Sequence, residues 1–177
     1  GEYKSFGTMP ELAEHLIMID SVSKRYSACG ARIGCVMTKN KELSAQLLKC
    51  CQARLSVSQL DQAGAAGLYT TPASYWEDVR NEYTRRRDTL KEALSAMPGV
   101  ISSEPKGAFY VMVKLPVDNI EKFAQWLLTD FAIDNETVMI TPGNGFYVSS
   151  PDRGCDECRI AYVLNCEDLK KAMHILA

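Results

Sequence analysis

Leu16-Ile17-Met18-Ile19 is fully apolar and stops abruptly at Asp20. A run that short suits a buried strand and is too short for a helix. Ile33 to Met37 is a second such run, and a loop of small polar residues from Ser21 to Gly30 separates the two. The first part of the chain therefore reads as strand, polar loop, strand. Helical and strand patterns then follow in turn. Lys41 to Leu55 sets Leu43, Leu47, Cys51 and Leu55 on one helical face, with Cys50-Cys51 read as core packing, and Gln59 to Leu68 is an Ala- and Gly-rich helix suited to close packing. Pro72 opens a long helix whose apolar face carries Trp76, Val79, Tyr83, Leu90, Leu94 and Met97, and Pro98-Gly99 stops it.

After Pro105, the alternation of Phe109, Val111, Val113 and Leu115 predicts a strand. Asp118, with Glu121 three residues on, predicts a helix N-cap. The helix behind it carries Ile120, Phe123, Ala124, Leu127, Leu128 and Phe131 as one stripe. Val138–Thr141 and Arg159–Leu164 read as two further strands. A last helix from about Glu167 turns Leu169, Ala172, Met173 and Leu176 inward. The pattern predicts an α/β chain. No internal repeat or composition shift marks a domain boundary, which is expected inside a helix near residues 45–60.

The chain has 177 residues, enough for a real core and one or two domains. Lys plus Arg total 20 and Asp plus Glu 22, a formal net charge of −2. That balance gives no bulk electrostatic case for nucleic acid or an anionic membrane as partner. No apolar run approaches the ~20 residues of a membrane helix. Seven cysteines cannot all pair internally, and no secretory signal is visible, so reduced thiols and a cytoplasmic location are expected. Cys155-x-x-Cys158 has half of a zinc spacing. Structural zinc needs four ligands, and inert thiols with no metal are expected. Arg85-Arg86-Arg87 stands among five acids and five bases between Glu77 and Glu92, which reads as a solvated helix face with Glu82 meeting Arg86.

The chemistry lies in the polar loop. A strand delivers two serines, a lysine and, eight residues later, an arginine. In α/β sheets, ligands sit at the carboxyl ends of strands. A lysine among other cations has its charged form disfavoured, and its neutral amine can attack a carbonyl. Two hydroxyls and a guanidinium suit a phosphate monoester. Arg159 opens an otherwise apolar strand. An arginine there is costly to bury without a carboxylate, supplied by a ligand or by a structural Asp or Glu.

The fuller pattern, Ser21-x-Ser23-Lys24-x-Tyr26-x-x-x-Gly30-x-Arg32-x-Gly34, resembles the lysine signature of class I/II pyridoxal-phosphate aminotransferases, the aspartate-aminotransferase fold type. The resemblance continues in order through Gln62-Ala63-Gly64-Ala65-Ala66 and Tyr83-Thr84-Arg85-Arg86-Arg87-Asp88. Gly107-Ala108-Phe109-Tyr110, Thr141-Pro142-Gly143 with Phe146, and Arg159-Ile160-Ala161-Tyr162 complete it. It implies that Lys24 carries pyridoxal phosphate as a Schiff base and acts in catalysis. It implies Ser21, Ser23 and Arg32 for the cofactor's phosphate and Arg159 for the substrate's α-carboxylate. Amino-acid and 2-oxo-acid substrates, with 2-oxoglutarate as the usual acceptor, and a homodimer are implied as well.

The family's Asp for the pyridine nitrogen and its Tyr for the ring oxygen lie on a strand well upstream of the lysine, and only 23 residues precede Lys24. The resemblance therefore implies the C-terminal part of a longer enzyme. Residues 1–45 would be the end of the large cofactor-binding domain with its last strands, and 46–177 the small α+β domain, a small antiparallel or mixed sheet with helices packed on one side. This chain by itself is expected to hold no stable cofactor and to self-associate through a leftover apolar surface. A carbon–sulfur β-lyase of the same fold, or a fragment acting only in packing or dimerisation, are the alternatives.

Overall fold

The computed structural model describes residues 3–150 and 153–177. The chain divides into two compact units, Gly1–Ala73 and Ser74–Ala177. The boundary expected at 45/46 concerned the domains of a longer enzyme. The packing of this chain divides it further on, and the helices at 41–66 go with the first unit.

In the first unit, strands β1 (Met18–Ser21) and β2 (Gly34–Met37) pair antiparallel, with Met18 opposite Met37 and Ser21 opposite Gly34. Helix α1 (Val22–Arg25) and a 3-10 turn over Cys29–Ala31 fill the connection. Gly34 has a steric reason: a Cβ there would stand 2.9 Å from the Asp20 carbonyl oxygen across the ribbon. Helices α2 (Lys41–Arg54) and α3 (Gln59–Ala66) follow. Asn40 caps α2, its side chain accepting the Leu43 amide hydrogen at 2.9 Å.

No described residue of this unit is buried. The strand expected at 16–19 begins at Met18, and Ile19 is 80% exposed. On α2, Leu43 and Leu47 are half-buried while Cys50, Cys51 and Leu55 are exposed, so the core packing expected there is absent. The periodicity is present, but Cys51 only borders an open cleft with Ile19, Val36 and Met37 and stays exposed.

The second unit holds the core. It opens with α4 (Ala73–Ala96) and contains β3 (Ile101–Ser102), β4 (Tyr110–Lys114), α5 (Ile120–Thr129), β5 (Thr141–Pro142), β6 (Glu157–Ala161) and α6 (Cys166–Leu176). The strands form one antiparallel sheet in the order β3-β4-β6-β5. The mixed α/β class expected from the sequence is the class observed. In β4 and β6, side chains alternate between the two faces. Val111, Val113, Cys158 and Ile160 are buried and cluster with Leu90 and Leu94 of α4, Leu127 of α5, and Leu169 and Met173 of α6. Tyr110, Met112, Glu157 and Arg159 alternate with them and are only half-buried.

Several details differ from the pattern reading. The cap of α5 is Asn119, whose side chain accepts the Lys122 amide hydrogen at 2.9 Å, rather than Asp118. Glu121 is then free of any capping-box role and accepts from Asn144 Nδ2 at 2.8 Å. The strand expected at 138–141 narrows to Thr141–Pro142, although Val138 and Ile140 are buried. Pro142 cannot donate to a ladder, which fits a place on the sheet's edge. Leu128 is exposed. In the basic run, Glu82 accepts from both Arg85 and Arg86, but Arg86 also reaches the Val163 carbonyl at 2.6 Å, so it ties α4 to the chain after β6 instead of facing solvent.

Leu127 and Leu169 are each 1% exposed at the centre of this core. Truncation of either to Ala is expected to cost about 2–5 kcal/mol in urea unfolding. Leu60→Ala, at a position 86% exposed, is expected to stay within about 0.5 kcal/mol.

Candidate functional site

Lys24 sits in α1, immediately after β1. Ser21 is the N-cap, its Oγ accepting the Ser23 amide hydrogen at 3.0 Å. The single Ser21 hydroxyl proton is within reach of Ser23 Oγ at 2.9 Å and of the Ile33 carbonyl at 3.1 Å. The Ile33 carbonyl also accepts the Val22 amide hydrogen at 3.2 Å, so both ends of the connection are tied together. Asp20 accepts from Arg25 at 2.6 Å, which engages one of the loop's cations locally.

Lys24 is exposed, and its Nζ lies 3.8 Å from Cys29 Sγ. Arg32 is exposed too and donates to the Cys29 carbonyl at 3.0 Å. Its backbone is left-handed, with φ +53°, and Ser27 shares that value. Non-glycine residues adopt this region at a cost. The connection between β1 and β2 thus holds Ser23, Lys24 and Arg32, with Ser21 at its start. The cleft beside it, about 290 Å³, is lined by Ser21, Arg25, Tyr26, Gln62 and Tyr69 among others. Ser23, Lys24 and Arg32 are not part of that lining.

In the second unit, Arg159 lies on β6 on the face turned away from the core, opposite Met112 of β4 and Thr141 of β5. Its guanidinium carbon is 4.6 Å from the centre of the Tyr110 ring and 5.1 Å from that of Phe146. Among the described residues no carboxylate pairs with it. Glu157, two residues earlier on the same strand, instead accepts from Tyr147 OH at 2.5 Å. That bond holds the Tyr147 hydroxyl above its ordinary pKa. The sequence did not single out Tyr110 or Phe146 as neighbours of Arg159. Phe146 stands three residues after Gly143, and that spacing is the one sequence signal that places it near β6.

Burial alone pushes the Cys158 thiol up to about 12, while Cys155 is only half-buried. No group of three or more His, Cys, Asp or Glu suited to a metal ion occurs among the described residues.

Residues 2–176 match the family described as aminotransferase class I and II. Among curated relatives, the aspartate aminotransferase of Pyrococcus horikoshii is 28% identical over 165 residues, covering 91% of this chain and 40% of that enzyme. The arginine–pyruvate transaminase of Pseudomonas aeruginosa is 28% identical over 179 residues, covering 100% of this chain and 43% of that enzyme. Among solved structures, the aspartate aminotransferase of Thermus thermophilus with maleate superposes with a TM-score of 0.82 at 26% identity, over 100% of this chain and 44% of that one. The chain belongs to the class I and II aminotransferases. It spans about two fifths of the length of the curated relatives it matches.

Cys158 offers a check on the packing behind Arg159. In the folded protein at pH 8, alkylation is expected to reach Cys29, Cys35, Cys50 and Cys51, which are exposed, and to spare Cys158. An unfolded thiol ionises near 8.5, so between there and about 12 the unfolded state binds fewer protons than the folded one. Stability therefore falls as pH rises through that window, by at most about 1.4 kcal/mol per unit from this group. Urea unfolding at pH 8 and pH 10 is expected to show a smaller drop for Cys158→Ala than for the wild type.

Proposed function

We propose that this chain supplies the cofactor lysine and the carboxylate-binding arginine of a pyridoxal-phosphate aminotransferase that moves an amino group between an amino acid and a 2-oxo acid such as 2-oxoglutarate. The observation that carries the reading is the segment from Ser21 to Arg32, which brings the Lys24 amine, the Ser21 and Ser23 hydroxyls and the Arg32 guanidinium into one short stretch of a chain of this family. That donor set suits the cofactor. Lys24 offers an amine to its aldehyde, and Ser21, Ser23 and Arg32 offer neutral donors and a permanent cation to its phosphate. A Thermus thermophilus α-aminoadipate aminotransferase of the same fold carries a phosphopyridoxyl-leucine.

Bound there, the cofactor's pyridine ring supplies an electron sink. The chain's own residues do the remainder. Lys24 Nζ removes the proton from the substrate's α-carbon and returns it on the other side of the exchange. Arg159 holds the α-carboxylate through paired N–H···O bonds, which orients the α-hydrogen. Because donor and acceptor both carry that carboxylate, one arginine serves both half-reactions.

The side chain of the amino acid is left open by this reading. Relatives of similar identity are named for aspartate and for arginine with pyruvate. We assign residues 1–45 to the end of the large cofactor-binding domain and 46–177 to the small domain of a cytoplasmic homodimer. No helix among the described residues is long and apolar enough to cross a membrane, which is consistent with that placement.

In the enzyme that contains this chain, Lys24→Ala is expected to abolish turnover while the fold is retained, since amine attachment and proton transfer are lost together. Near-normal transamination by a folded variant would overturn the assignment. Arg159→Ala is expected to raise KM for the amino acid and the oxo acid alike, by about 100-fold or more, the size of a charge-assisted pair in a sheltered site. An effect confined to one of the two substrates would show that Arg159 is not the shared clamp.

A further inference from the structure

We propose that Tyr110 and Phe146 are positioning residues for Arg159, holding its guanidinium against two rings so that the N–H edge is presented ready-made to a carboxylate. The proposal rests on the reading of Arg159 as the carboxylate clamp and adds to it the device that sets the clamp's geometry.

Three observations carry it. The first is the double ring contact, at 4.6 Å and 5.1 Å, made by rings from separate elements. A guanidinium is flat, with its donors around the rim and none on its faces. Ring contacts use the faces and leave the rim, and the rim is the part that matches a carboxylate. The second is that no anion among the described residues uses that rim. Glu157 is the carboxylate on the same strand and face, and Tyr147 engages it. An arginine kept on aromatic surface with no anionic partner among the described residues is poised for an external one.

The third is how firmly Phe146 is delivered. The Gly143 amide donates to the Glu157 carbonyl at 2.7 Å, and a Cβ on Gly143 would also lie 2.7 Å from that oxygen. Only glycine lets the turn approach β6 so closely. The Phe146 amide then donates to the Gly143 carbonyl at 3.0 Å, and Asn144 anchors the turn to Glu121 on α5. Phe146 is nevertheless 50% exposed, so it contributes little to the core. Its place over Arg159 is fixed by backbone contacts rather than by burial. Tyr110 is held in the β4–β6 ladder opposite Ala161 and against the Phe109 ring at 4.5 Å.

Holding the arginine in place removes part of the ordering cost that a free side chain would meet on binding. Loss of either ring should therefore weaken carboxylate binding while the sheet stays intact.

The experiment follows the Arg159 Nε–Hε resonance of the 15N-arginine-labelled chain, assigned by its loss in Arg159→Lys. Sodium succinate is titrated in, with sodium chloride at matched ionic strength as control. The wild type is expected to shift saturably with succinate and not with chloride. Phe146→Leu and Tyr110→Leu should each weaken the apparent Kd by roughly 3- to 10-fold, the size of one cation–ring contact. Phe146→Tyr and Tyr110→Phe, which keep the rings, should stay within about 2-fold. Backbone amide shifts of β4 and β6 report whether each variant is folded, and the conservative pair keeps the test decisive if a leucine variant is not. A wild-type shift with unchanged affinity in folded Phe146→Leu and Tyr110→Leu would overturn the positioning role and leave the clamp standing. Equal weakening by the ring-keeping variants would overturn it as well. No saturable shift in the wild type would overturn both.

Discussion

The pairing of β4 with β6 governs the second unit. Five residue pairs in antiparallel register, from Tyr110–Ala161 to Lys114–Glu157, fix which side chains face which way. A slip by one residue would exchange the two faces. A slip of β6 would bring Arg159 under the helices, where an unpaired guanidinium is costly, and turn Cys158 and Ile160 outward. The buried alternation on one side is thus what guarantees a polar and aromatic surface on the other. Core and site are two faces of one ladder, and the hydrophobic term that selects the register also selects where the arginine stands.

The first unit follows a different logic. Its ribbon and helices are held by backbone pairing, by the Asn40 cap and by a dense set of local hydrogen bonds around Ser21, with no buried centre. Ile17, Ile19 and Val36 are exposed, and so are Leu48 and Leu60. The sequence there is written for burial that these residues alone do not provide. The lysine loop is accordingly specified by local geometry, chiefly the Ser21 cap and the tie from Val22 to Ile33.

The sequence showed the second unit clearly wherever one face of an element is buried. Val111 and Val113 alternate because β4 has a helix-covered side, and Leu169 and Met173 recur at helical spacing for the same reason. It misled where tertiary packing did not follow the pattern. On the face expected for α2, Leu43 and Leu47 are half-buried, while Cys50, Cys51 and Leu55 stay exposed. Asp118 and Asn119 are both competent caps, and only the extended backbone at Asn119 decides between them. The chemistry proposed for the lysine loop rests on residue types and so could be read from the sequence. The aromatic neighbours of Arg159 could not, since Tyr110 and Phe146 are distant in sequence and meet only through the sheet register and the Gly143 turn.

The left-handed backbone at Arg32 sets local stability against the phosphate-binding role proposed for it. Glycine would adopt φ +53° there without the roughly 1–2 kcal/mol that an L side chain incurs. A library of variants sorted only for thermal resistance would therefore tend to accumulate glycine at 32. It would discard the permanent cation in doing so, and the sturdier progeny would be recovered without the group best suited to a phosphate. A survey of drift at this residue would thus separate selection for folding from selection for chemistry.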